Sequence, residues 1–316
     1  MLSVTERNLI SVPEPGSLRS PVSGSENVTF LEAISAERLI AWWQSEYSID
    51  VSKQFHGVVN IWKYRCNDSG LICFGPASVA GTDWLYQQLQ KFSWYYQSGR
   101  WEHRIARREL QQCKSVCELG CGKGDFLHSL VSDGHEVAGV ELNPLAAAQA
   151  REAGLNVSGK PVGEPSDKFE GEFDAVCAFQ VVEHAPDTAG FIRAAIKLVR
   201  RGGKLIFAVP NSDGFEGLGY NLLQYPPHHM SCWTPNCFRA LQELFPLRLE
   251  KVLTEPLARD HIDIYLAWNA RHLRQRSGSY RLIFNRMTLP IYRGLLSRGL
   301  RRFSTGHALY AQFTCL

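Results

Sequence analysis

The sequence predicts an α/β protein with a doubly wound, mostly parallel sheet, because segments typical of strands and of helices alternate from residue 115 to residue 209. Strands are expected at 115–119, 135–141, near 155–158, 173–179 and 203–209. A glycine-rich turn follows the first of these strands and opens a helix. Such alternation implies parallel strands with helices on both faces, and ligands in these sheets bind at the carboxyl ends of the strands.

The glycine-rich turn reads E-L-G-C-G-K-G over residues 118–124. A dinucleotide fingerprint starting at Gly120 would need glycine at position 125, where the chain has Asp125. The strand ends instead in Glu118, whose carboxylate is unfavourable beside a pyrophosphate and favourable beside the cationic amino acid end of S-adenosylmethionine. Backbone without Cβ atoms can approach such a ligand closely, and the following helix N-terminus offers unpaired N–H groups. A plain strand-to-helix turn is the alternative.

The next predicted strand, 135–141, ends in a second carboxylate, Glu141. Asn143, followed by a proline, is a typical opening for the helix expected at 145–153, and Gly154 stands where a C-cap is expected. A carboxylate about 20 residues beyond a glycine loop is placed to accept both ribose hydroxyls of a bound nucleoside. Taken alone, Glu141 could equally be an exposed charge at a strand end, but together with the loop the nucleoside-binding interpretation is favoured.

Five short motifs follow one another through this region. They are E-L-G-C-G (118–122), V-E (140–141), F-D-A-V (173–176), V-V-E-H-A-P-D (181–187) and G-G-K-L (202–205). In this order they resemble the motifs of class I S-adenosylmethionine-dependent methyltransferases. The third and fourth motifs and H-H-M-S-C-W-T-P (228–235) are most similar to the ubiquinone-biosynthesis O-methyltransferase type and its bacterial relatives acting on glycans and other small molecules. The resemblance covers about residues 97–255 and implies a Rossmann-like methyltransferase fold with a seven-stranded sheet and S-adenosyl-L-methionine as cofactor.

The resemblance and the strand order together assign a cofactor site. Phe179 and Gln180, at the end of the fourth strand, are expected near the methionine end of the cofactor and its transferable methyl group. The predicted cofactor-binding residues are Glu118, Gly120, Cys121, Gly122, Gly124, Glu141, Leu142, Phe179 and Gln180. Many relatives carry an acidic residue after the third strand for the adenine amino group, but residues 157–162 contain none, and the adenine contact stays unassigned.

Three histidines and one glutamate are candidates for taking a proton from the acceptor. Histidine is the usual base near neutral pH, and such a base contributes about 10²–10⁴ in rate. His184 follows the fourth strand, whereas His228 and His229 lie beyond the fifth. We favour His229 and His228, because a loop beyond the fifth strand can reach over the substrate, with Glu183 orienting or replacing the base. The alternative is that His184 and one of the tandem pair only fix their loops by hydrogen bonding.

The nine cysteines do not predict a metal site. Cys113, Cys117 and Cys121 are spaced four apart, but Cys117 falls in a strand and Cys121 in the glycine turn, so they do not share the single loop that an iron–sulfur cluster needs. Cys66 and Cys73 lack the second closely spaced pair expected for structural zinc. An odd number of cysteines without framework spacing fits a reducing cytoplasm.

Length and composition agree with a cytoplasmic protein. The chain has 316 residues, of which 45% are hydrophobic and 21% charged, as in a globular α/β domain with a smaller appended region. No apolar run reaches the roughly 18 residues of a membrane-spanning helix. The N-terminus also lacks the basic start and long apolar stretch of a signal peptide.

Composition divides the chain into three parts. Residues 1–30 are rich in serine, proline, glycine and polar groups and are predicted to form a mobile arm. Residues 31–96 are predicted to form an N-terminal accessory region of a helix capped at Ser35 and a hairpin. Residues 97–316 are predicted to form the S-adenosylmethionine-binding domain, with a basic insertion at about 269–306.

The accessory region carries two further signals. Residues 58–64 and 71–74 flank the turn N-D-S-G and are typical of a hairpin. Seven aromatic residues follow between Asp83 and Trp101, namely Trp84, Tyr86, Phe92, Trp94, Tyr95, Tyr96 and Trp101. They suit the wall of a substrate pocket or a stack on adenine, and they suit equally the packing of the accessory region onto the main domain.

The C-terminal segment is strongly basic. After Asp263 the chain has no acidic residue but nine arginines: Arg271, Arg274, Arg276, Arg281, Arg286, Arg293, Arg298, Arg301 and Arg302. Within 287–303, apolar residues recur at helical spacing, with three of the arginines largely on the other face: Leu289, Tyr292, Leu296, Leu300 and Phe303 against Arg298, Arg301 and Arg302. Such a helix suits peripheral contact with an anionic membrane, a phosphorylated or nucleic-acid substrate, or a cover over the site. Residues 307–313 alternate and are expected to form the last strand.

Three functions remain open from the sequence. We favour an enzyme that moves a methyl group from S-adenosylmethionine to a hydroxyl oxygen of a small-molecule or lipid-linked-glycan acceptor. A nucleic-acid methyltransferase is less well supported, because no RNA-binding module is recognisable and F-Q-V-V (179–182) replaces the N/D-P-P-Y/F-like tetrapeptide of base-methylating enzymes. The third is a non-catalytic protein that binds S-adenosylmethionine as a partner or sensor.

Overall fold

The computed structural model describes residues 18–96, 98–161, 171–278 and 283–316. In chain order the strands are β1 (Val28–Ser35), β2 (Asn60–Cys66), β3 (Ile72–Gly75), β4 (Ser115–Leu119), β5 (Glu136–Val140), β6 (Val157–Ser158), β7 (Phe173–Phe179), β8 (Val199–Pro210), β9 (Ser231–Cys232), β10 (Leu247–Pro256) and β11 (Thr305–Cys315). The helices are α1 (Ala36–Tyr47), α2 (Asp83–Leu89), α3 (Trp101–Glu109), α4 (Asp125–Ser132), α5 (Pro144–Glu152), α6 (Thr188–Leu198), α7 (Pro235–Leu244), α8 (Ile262–Arg276) and α9 (Leu289–Ser297).

The larger of two sheets has seven strands in the order β10-β11-β8-β7-β4-β5-β6. The five strands from β8 to β6 are parallel, whereas β11 is antiparallel to both of its neighbours. The prediction of a doubly wound, mostly parallel seven-stranded sheet is confirmed. From β4 the chain builds outward to β6 and then returns to β7 on the other side, so the strand order reverses between β4 and β7. This reversal is where doubly wound sheets bind their ligands.

The predicted strands agree with the structure because they are short apolar runs. β4 and β7 have the predicted bounds, and β5, β6 and β8 overlap the predicted segments. The helix opening is also confirmed, since the Asn143 side chain accepts a hydrogen bond from the Leu145 N–H at 3.1 Å. Gly154, with φ +89°, lies just beyond the end of α5.

The core lies on both faces of this sheet, as alternate residues of β8 show. Phe207 belongs to a cluster that includes Phe238 and Phe313, whereas its neighbours Ile206 and Ala208 belong to a cluster on the opposite face. Phe207 is fully buried, and burial of a side chain of this size contributes about 1.5–3 kcal/mol.

The smaller sheet has the order β1-β2-β3-β9 and belongs mostly to the accessory region. The predicted hairpin is confirmed as the antiparallel pair β2–β3, and the predicted cap is confirmed by a 3.3 Å bond from the Arg38 N–H to the Ser35 hydroxyl. The fourth strand, β9, comes from the segment after β8, near the middle of the methyltransferase-like region. The loop between β8 and β9 therefore connects the two sheets.

The predicted mobile arm is corrected over residues 18–30. Leu18 and Val22 are buried in the main core, and the Ala189 N–H donates to the Pro21 carbonyl at 2.8 Å. The Tyr64 hydroxyl also donates to the Arg19 carbonyl at 3.1 Å. The polar composition of this segment gave no indication that Leu18 and Val22 are buried or that the backbone makes these hydrogen bonds. Residues 1–17 lie outside the described part of the chain.

The basic C-terminal segment contains α8 and α9 and then enters β11, which confirms the predicted last strand. Three members of the predicted apolar stripe, Leu289, Tyr292 and Leu296, pack against a small core cluster. Other apolar side chains face solvent, including Met287 at 83% and Phe303 at 78% exposure. Arg281 lies outside the described residues. In the described ranges, every helix is too short or too polar to cross a bilayer.

Candidate active site

The glycine loop between β4 and α4 needs backbone conformations that other residues rarely adopt. Gly120 has φ +73°, and a Cβ atom there would lie 2.3 Å from the Val181 Cγ2 atom. Gly122 has φ +54°, and its Cβ would meet the Tyr96 ring at 3.1 Å. The glycine loop is therefore closely covered on one side by Val181, in the loop after β7. On the other side it is covered by Tyr96, in the aromatic segment between Asp83 and Trp101.

A cavity of about 620 Å³ opens at the carboxyl ends of the central strands. Ten of the thirteen predicted site residues line it: Glu118, Gly120, Cys121, Gly122, Phe179, Gln180, Glu183, His184, His228 and His229. The remaining three, Gly124, Glu141 and Leu142, are not among its lining residues. Gly124 caps α4 against Leu155, and the Leu142 side chain is 47% exposed. The structure thus brings the predicted cofactor loop and the predicted catalytic residues into one cavity.

Glu118 is a buried carboxyl group at the bottom of the glycine loop. Its exposure is 3%, and its Oε2 atom has no hydrogen-bond partner among the described residues. Burial, and then the nearby charge of Glu141, raise the pKa of Glu118 to about 8, against an opposing effect of Arg100. A cation bound beside it would favour the ionised form.

Glu141 lies behind the loop and supports it. Its Oε2 accepts a hydrogen bond from the Gly122 N–H at 2.8 Å, and its Oε1 accepts one from the Asn143 N–H at 2.7 Å. Burial raises the pKa of Glu141, and these backbone bonds oppose the rise. The carboxylate is therefore neither an exposed strand-end charge nor a lining group of the cavity. Its binding of ribose hydroxyls stays a prediction.

The aromatic residues between Asp83 and Trp101 lie between the cavity and the accessory core. Trp94, Tyr95, Tyr96 and Trp101 line the cavity. Phe92 and Tyr95 also pack against the accessory core cluster. The Tyr96 hydroxyl lies 3.4 Å from the Asn143 Nδ2 atom, which places this ring over the loop beside the Glu141 carboxylate.

The three predicted histidines form one cluster. The ring centroids of His228 and His229 are 4.5 Å apart and stacked, and the His184 ring lies 4.5 Å and 4.8 Å from them. One ring nitrogen of each histidine lies within 4.8 Å of the others, an arrangement that can hold a metal ion. The sequence predicted these residues singly and predicted no metal site.

Hydrogen bonds hold each ring in place. His184 Nδ1 lies 2.6 Å from the His228 carbonyl, so His184 does fix the β7 loop, as the alternative interpretation expected. His228 Nδ1 lies 3.0 Å from the Leu223 carbonyl and its Nε2 lies 3.2 Å from the Tyr95 hydroxyl. His229 Nδ1 lies 3.3 Å from Oε1 of the Gln224 amide.

The cluster is electrically neutral near pH 7. Burial lowers the pKa of His184 to about 4, despite opposing effects of the His228 and Gln180 carbonyls. Burial also holds the pKa values of His228 and His229 well below the usual range. Burial raises the pKa of Glu183 to about 8, against its own backbone N–H and the charge of Arg100.

The sequence analysis missed several charged residues of the cavity. Glu102 is 3% exposed and accepts a 3.3 Å hydrogen bond from the Gln180 side chain. Glu216 forms a 2.7 Å ion pair with His307 Nδ1. Burial disfavours the His307 cation, but the hydrogen bond and charge of Glu216 outweigh it and raise the pKa of His307. These residues belong to distant segments, and the alternation of β11 was the only local signal near His307.

Comparison with known proteins decides the family. The model of the methyltransferase domain family matches residues 93–276, which is more than half of the chain. The chain belongs to this family. The class I S-adenosylmethionine-dependent methyltransferase identified from the motifs is thereby confirmed, and its cofactor is S-adenosylmethionine.

Individual relatives of this methyltransferase match only part of it. Ubiquinone biosynthesis O-methyltransferase of Erwinia tasmaniensis is 35% identical over 106 residues, covering 32% of this chain and 44% of the relative. The Escherichia coli O127:H6 enzyme of the same name is 34% identical over 107 residues, covering 32% and 45%. The chain thus spans less than half the length of these curated relatives. A crystal structure of a SAM-dependent methyltransferase from Archaeoglobus fulgidus shares 14% identity over 74% of this chain and all of that one, with a TM-score of 0.44.

Proposed function

We propose that this methyltransferase acts on a hydroxyl oxygen of a small-molecule or lipid-linked-glycan acceptor. The observation that carries the proposal is one shared cavity in which the glycine loop and the cluster of His184, His228 and His229 both line the wall. Curated relatives named for O-methylation in ubiquinone biosynthesis support an oxygen acceptor. A polar acceptor also fits a cavity with carboxyl groups and imidazoles in its wall.

The cofactor assignment follows from the charges of the loop. The cationic amino acid end of S-adenosylmethionine is proposed to lie beside Glu118, whose ionisation it would favour. Glu141 is proposed to accept hydrogen bonds from the ribose hydroxyls in place of its present bonds from the Gly122 and Asn143 N–H groups. Phe179 and Gln180 are proposed to flank the methyl group. The aligned reactants supply much of the acceleration, on the order of 7–11 kcal/mol in favourable cases.

In the reaction, an acceptor oxygen forms a bond to the methyl carbon while the bond from carbon to sulfur breaks. S-adenosylhomocysteine leaves, and the hydroxyl proton must be taken up. We propose His229 as the residue nearest this proton, because its hydrogen bond to Gln224 is made by Nδ1 rather than by Nε2. The Nε2 atom of His228 is already bonded to Tyr95.

The test is transfer of a labelled methyl group to a panel of phenols, sugars, lipid-linked glycans and RNA. His229→Gln is expected to lower kcat by about 10²–10⁴ with cofactor affinity unchanged. His135→Gln is the matched control, because His135 lies immediately before β5 and does not line the cavity. Methylation of RNA with a steep salt dependence would favour the nucleic-acid alternative. Cofactor binding without turnover on any acceptor would favour a sensor.

A second proposal concerns the surface of the protein that contacts a membrane. We propose that the surface of α9 and the turn after it contacts an anionic membrane. Ile291 and Phe303 expose their apolar side chains in this segment, as does Met287 just before α9, and Arg298 and Arg302 are exposed in the same segment. A basic residue near such a surface contributes about 1 kcal/mol.

Vesicle sedimentation tests this contact. The protein is expected to bind vesicles of phosphatidylcholine with phosphatidylglycerol and not vesicles of phosphatidylcholine alone. The double variant Arg298→Gln/Arg302→Gln should bind at least about tenfold more weakly, from the same contribution per charge. Arg239→Gln on α7 removes an exposed charge elsewhere and serves as control. Equal binding to both vesicle types would refute the proposal.

A further inference from the structure

The histidine cluster holds more imidazole rings in a fixed arrangement than a proton acceptor requires. Three imidazoles from two separate loops place one nitrogen each within 4.8 Å of the others. His228 and His229 are 5% and 4% exposed, so the protein keeps these rings out of water. A single proton acceptor needs one imidazole, whereas this cavity brings three together.

The outward hydrogen bonds of the rings define their protonation. In all three residues Nδ1 faces an oxygen that can only accept: the carbonyls of His228 and Leu223, and Oε1 of Gln224. A neutral imidazole carries one N–H, and these acceptors place it on Nδ1. The Nε2 atoms of His228 and His229 are then left with their lone pairs, whereas the His184 ring also interacts with the Gln180 carbonyl. Metal-binding histidines have this arrangement, with the distal N–H donated to a carbonyl or carboxylate.

Glu183 is an independent observation at the same place. Its side chain is 1% exposed, and neither carboxylate oxygen makes a hydrogen bond with another residue in the described ranges. Its Oε1 lies 4.0 Å from Nε2 of His184. A buried carboxyl group without partners is costly unless a cation or proton compensates it. The guanidinium of Arg100, which also lines the cavity, lies 3.9 Å from Glu102.

We propose that His184, His228 and His229 bind one divalent transition-metal ion of the zinc type through their Nε2 atoms, with Glu183 completing the site. Imidazole ligands favour zinc, iron, copper or nickel over magnesium and calcium. At a Zn–N distance of about 2.0–2.1 Å, tetrahedral ligand atoms are about 3.3 Å apart. Ring nitrogens that lie within 4.8 Å of one another must therefore approach by up to roughly 1.5 Å to bind one ion. The Tyr95 hydroxyl must also release Nε2 of His228.

The metal site deepens the proposed function and rests on it for its role. A metal ion in this cavity can coordinate the acceptor oxygen and lower the pKa of its hydroxyl group. The oxygen would then lose its proton to solvent or to Glu183. In that case Nε2 of His229 would bind the metal instead of taking the proton, so the metal would replace His229 as the group that promotes deprotonation. The same ion would fix the oxygen in line with the methyl group, and removing it would abolish turnover while leaving cofactor binding intact.

Cobalt(II) is the probe, because its visible absorption reports ligand type and geometry. Full-length protein freed of metal by a chelator is titrated with Co²⁺, and Zn²⁺ is then added in competition. We expect one Co²⁺ per chain with the bands of a four-coordinate nitrogen and oxygen site, displaced by Zn²⁺. His228→Ala and His229→Ala should each weaken binding at least about 100-fold. His135→Ala is the control, since its Nδ1 also faces a carbonyl, that of Cys113 at 2.8 Å, outside the cluster.

Glu183→Gln keeps the shape of the side chain and tests the carboxylate separately, with an expected loss of about 10–100-fold. Near-ultraviolet circular dichroism shows whether each variant is folded. Absence of Co²⁺ binding to folded wild type, equal binding by His228→Ala, or a thiolate charge-transfer band from the cysteines would each overturn the proposal. Calorimetry with S-adenosylmethionine, done without metal, tests the proposed function independently. Cofactor binding without metal binding would leave the proposed function and remove the metal site.

Discussion

Replacement of Glu118 by glutamine should separate stability from cofactor binding. In the cofactor-free protein, burial and the charge of Glu141 raise the pKa of Glu118 to about 8 from the ordinary 4.5. As pH rises between these values, the unfolded chain releases this proton and the folded chain keeps it. The folded state therefore loses stability as pH rises, by about 1.4 kcal/mol for each pH unit. Below the ordinary pKa the carboxyl group is neutral in both states and has no such effect.

The magnitude follows from the width of this window. Between pH 5 and pH 8 the unfolding free energy of Glu118→Gln should gain up to about 4 kcal/mol relative to wild type, because the amide never ionises. The same substitution that stabilises the folded state should weaken cofactor binding. If the cationic ligand requires the carboxylate, wild-type affinity falls up to about 100-fold from pH 8 to pH 6, whereas the variant lacks this dependence and binds weakly at both pH values.

Urea denaturation and calorimetric titration with S-adenosylmethionine, at pH 6 and pH 8, measure the two effects. The amino group of the ligand also titrates near pH 8, but it does so equally with both proteins, so the difference between them isolates Glu118. Glu136→Gln, an exposed carboxyl group on the neighbouring strand β5, is the control. A variant that binds as tightly as wild type at pH 8, or that shows the wild-type pH dependence of stability, would refute the reasoning.

Three further outcomes are expected. Gly120→Ala should destabilise the protein by more than Gly134→Ala in urea, since both have positive φ but only Gly120 has a side chain within 2.3 Å of the new methyl group; strain alone costs about 1–2 kcal/mol. Glu141→Ala should weaken calorimetric binding of S-adenosylmethionine and S-adenosylhomocysteine at least tenfold, about 1.4 kcal/mol, and unchanged affinity would contradict its assignment. Glu216→Gln should lower the thermal midpoint more at pH 6 than at pH 9, because the raised pKa of His307 makes their ion pair strongest at low pH; an equal loss at both would show that charge is not involved.

The strands and the glycine loop were predictable because their signals are local. The run 173–179 is apolar except for Asp174, and it forms β7 with the same bounds because both faces of the sheet are covered. The cap at Asn143 depends on a bond to a residue two positions away. By contrast, the contact of Leu18 with the core depends on segments far along the chain, and composition alone indicated a free arm.

The histidine cluster is the part of the site that no local pattern specifies. Its two loops are joined by a backbone bond from the Met230 N–H to the Glu183 carbonyl at 2.8 Å, immediately before β9 enters the smaller sheet. The Tyr95 ring, from the accessory region, lies 5.8 Å from the His228 ring. The position of the cluster is thus determined jointly by the large sheet, the small sheet and the aromatic segment. The accessory region is therefore a structural part of the histidine side of the cavity, whereas the glycine loop is built by the large sheet.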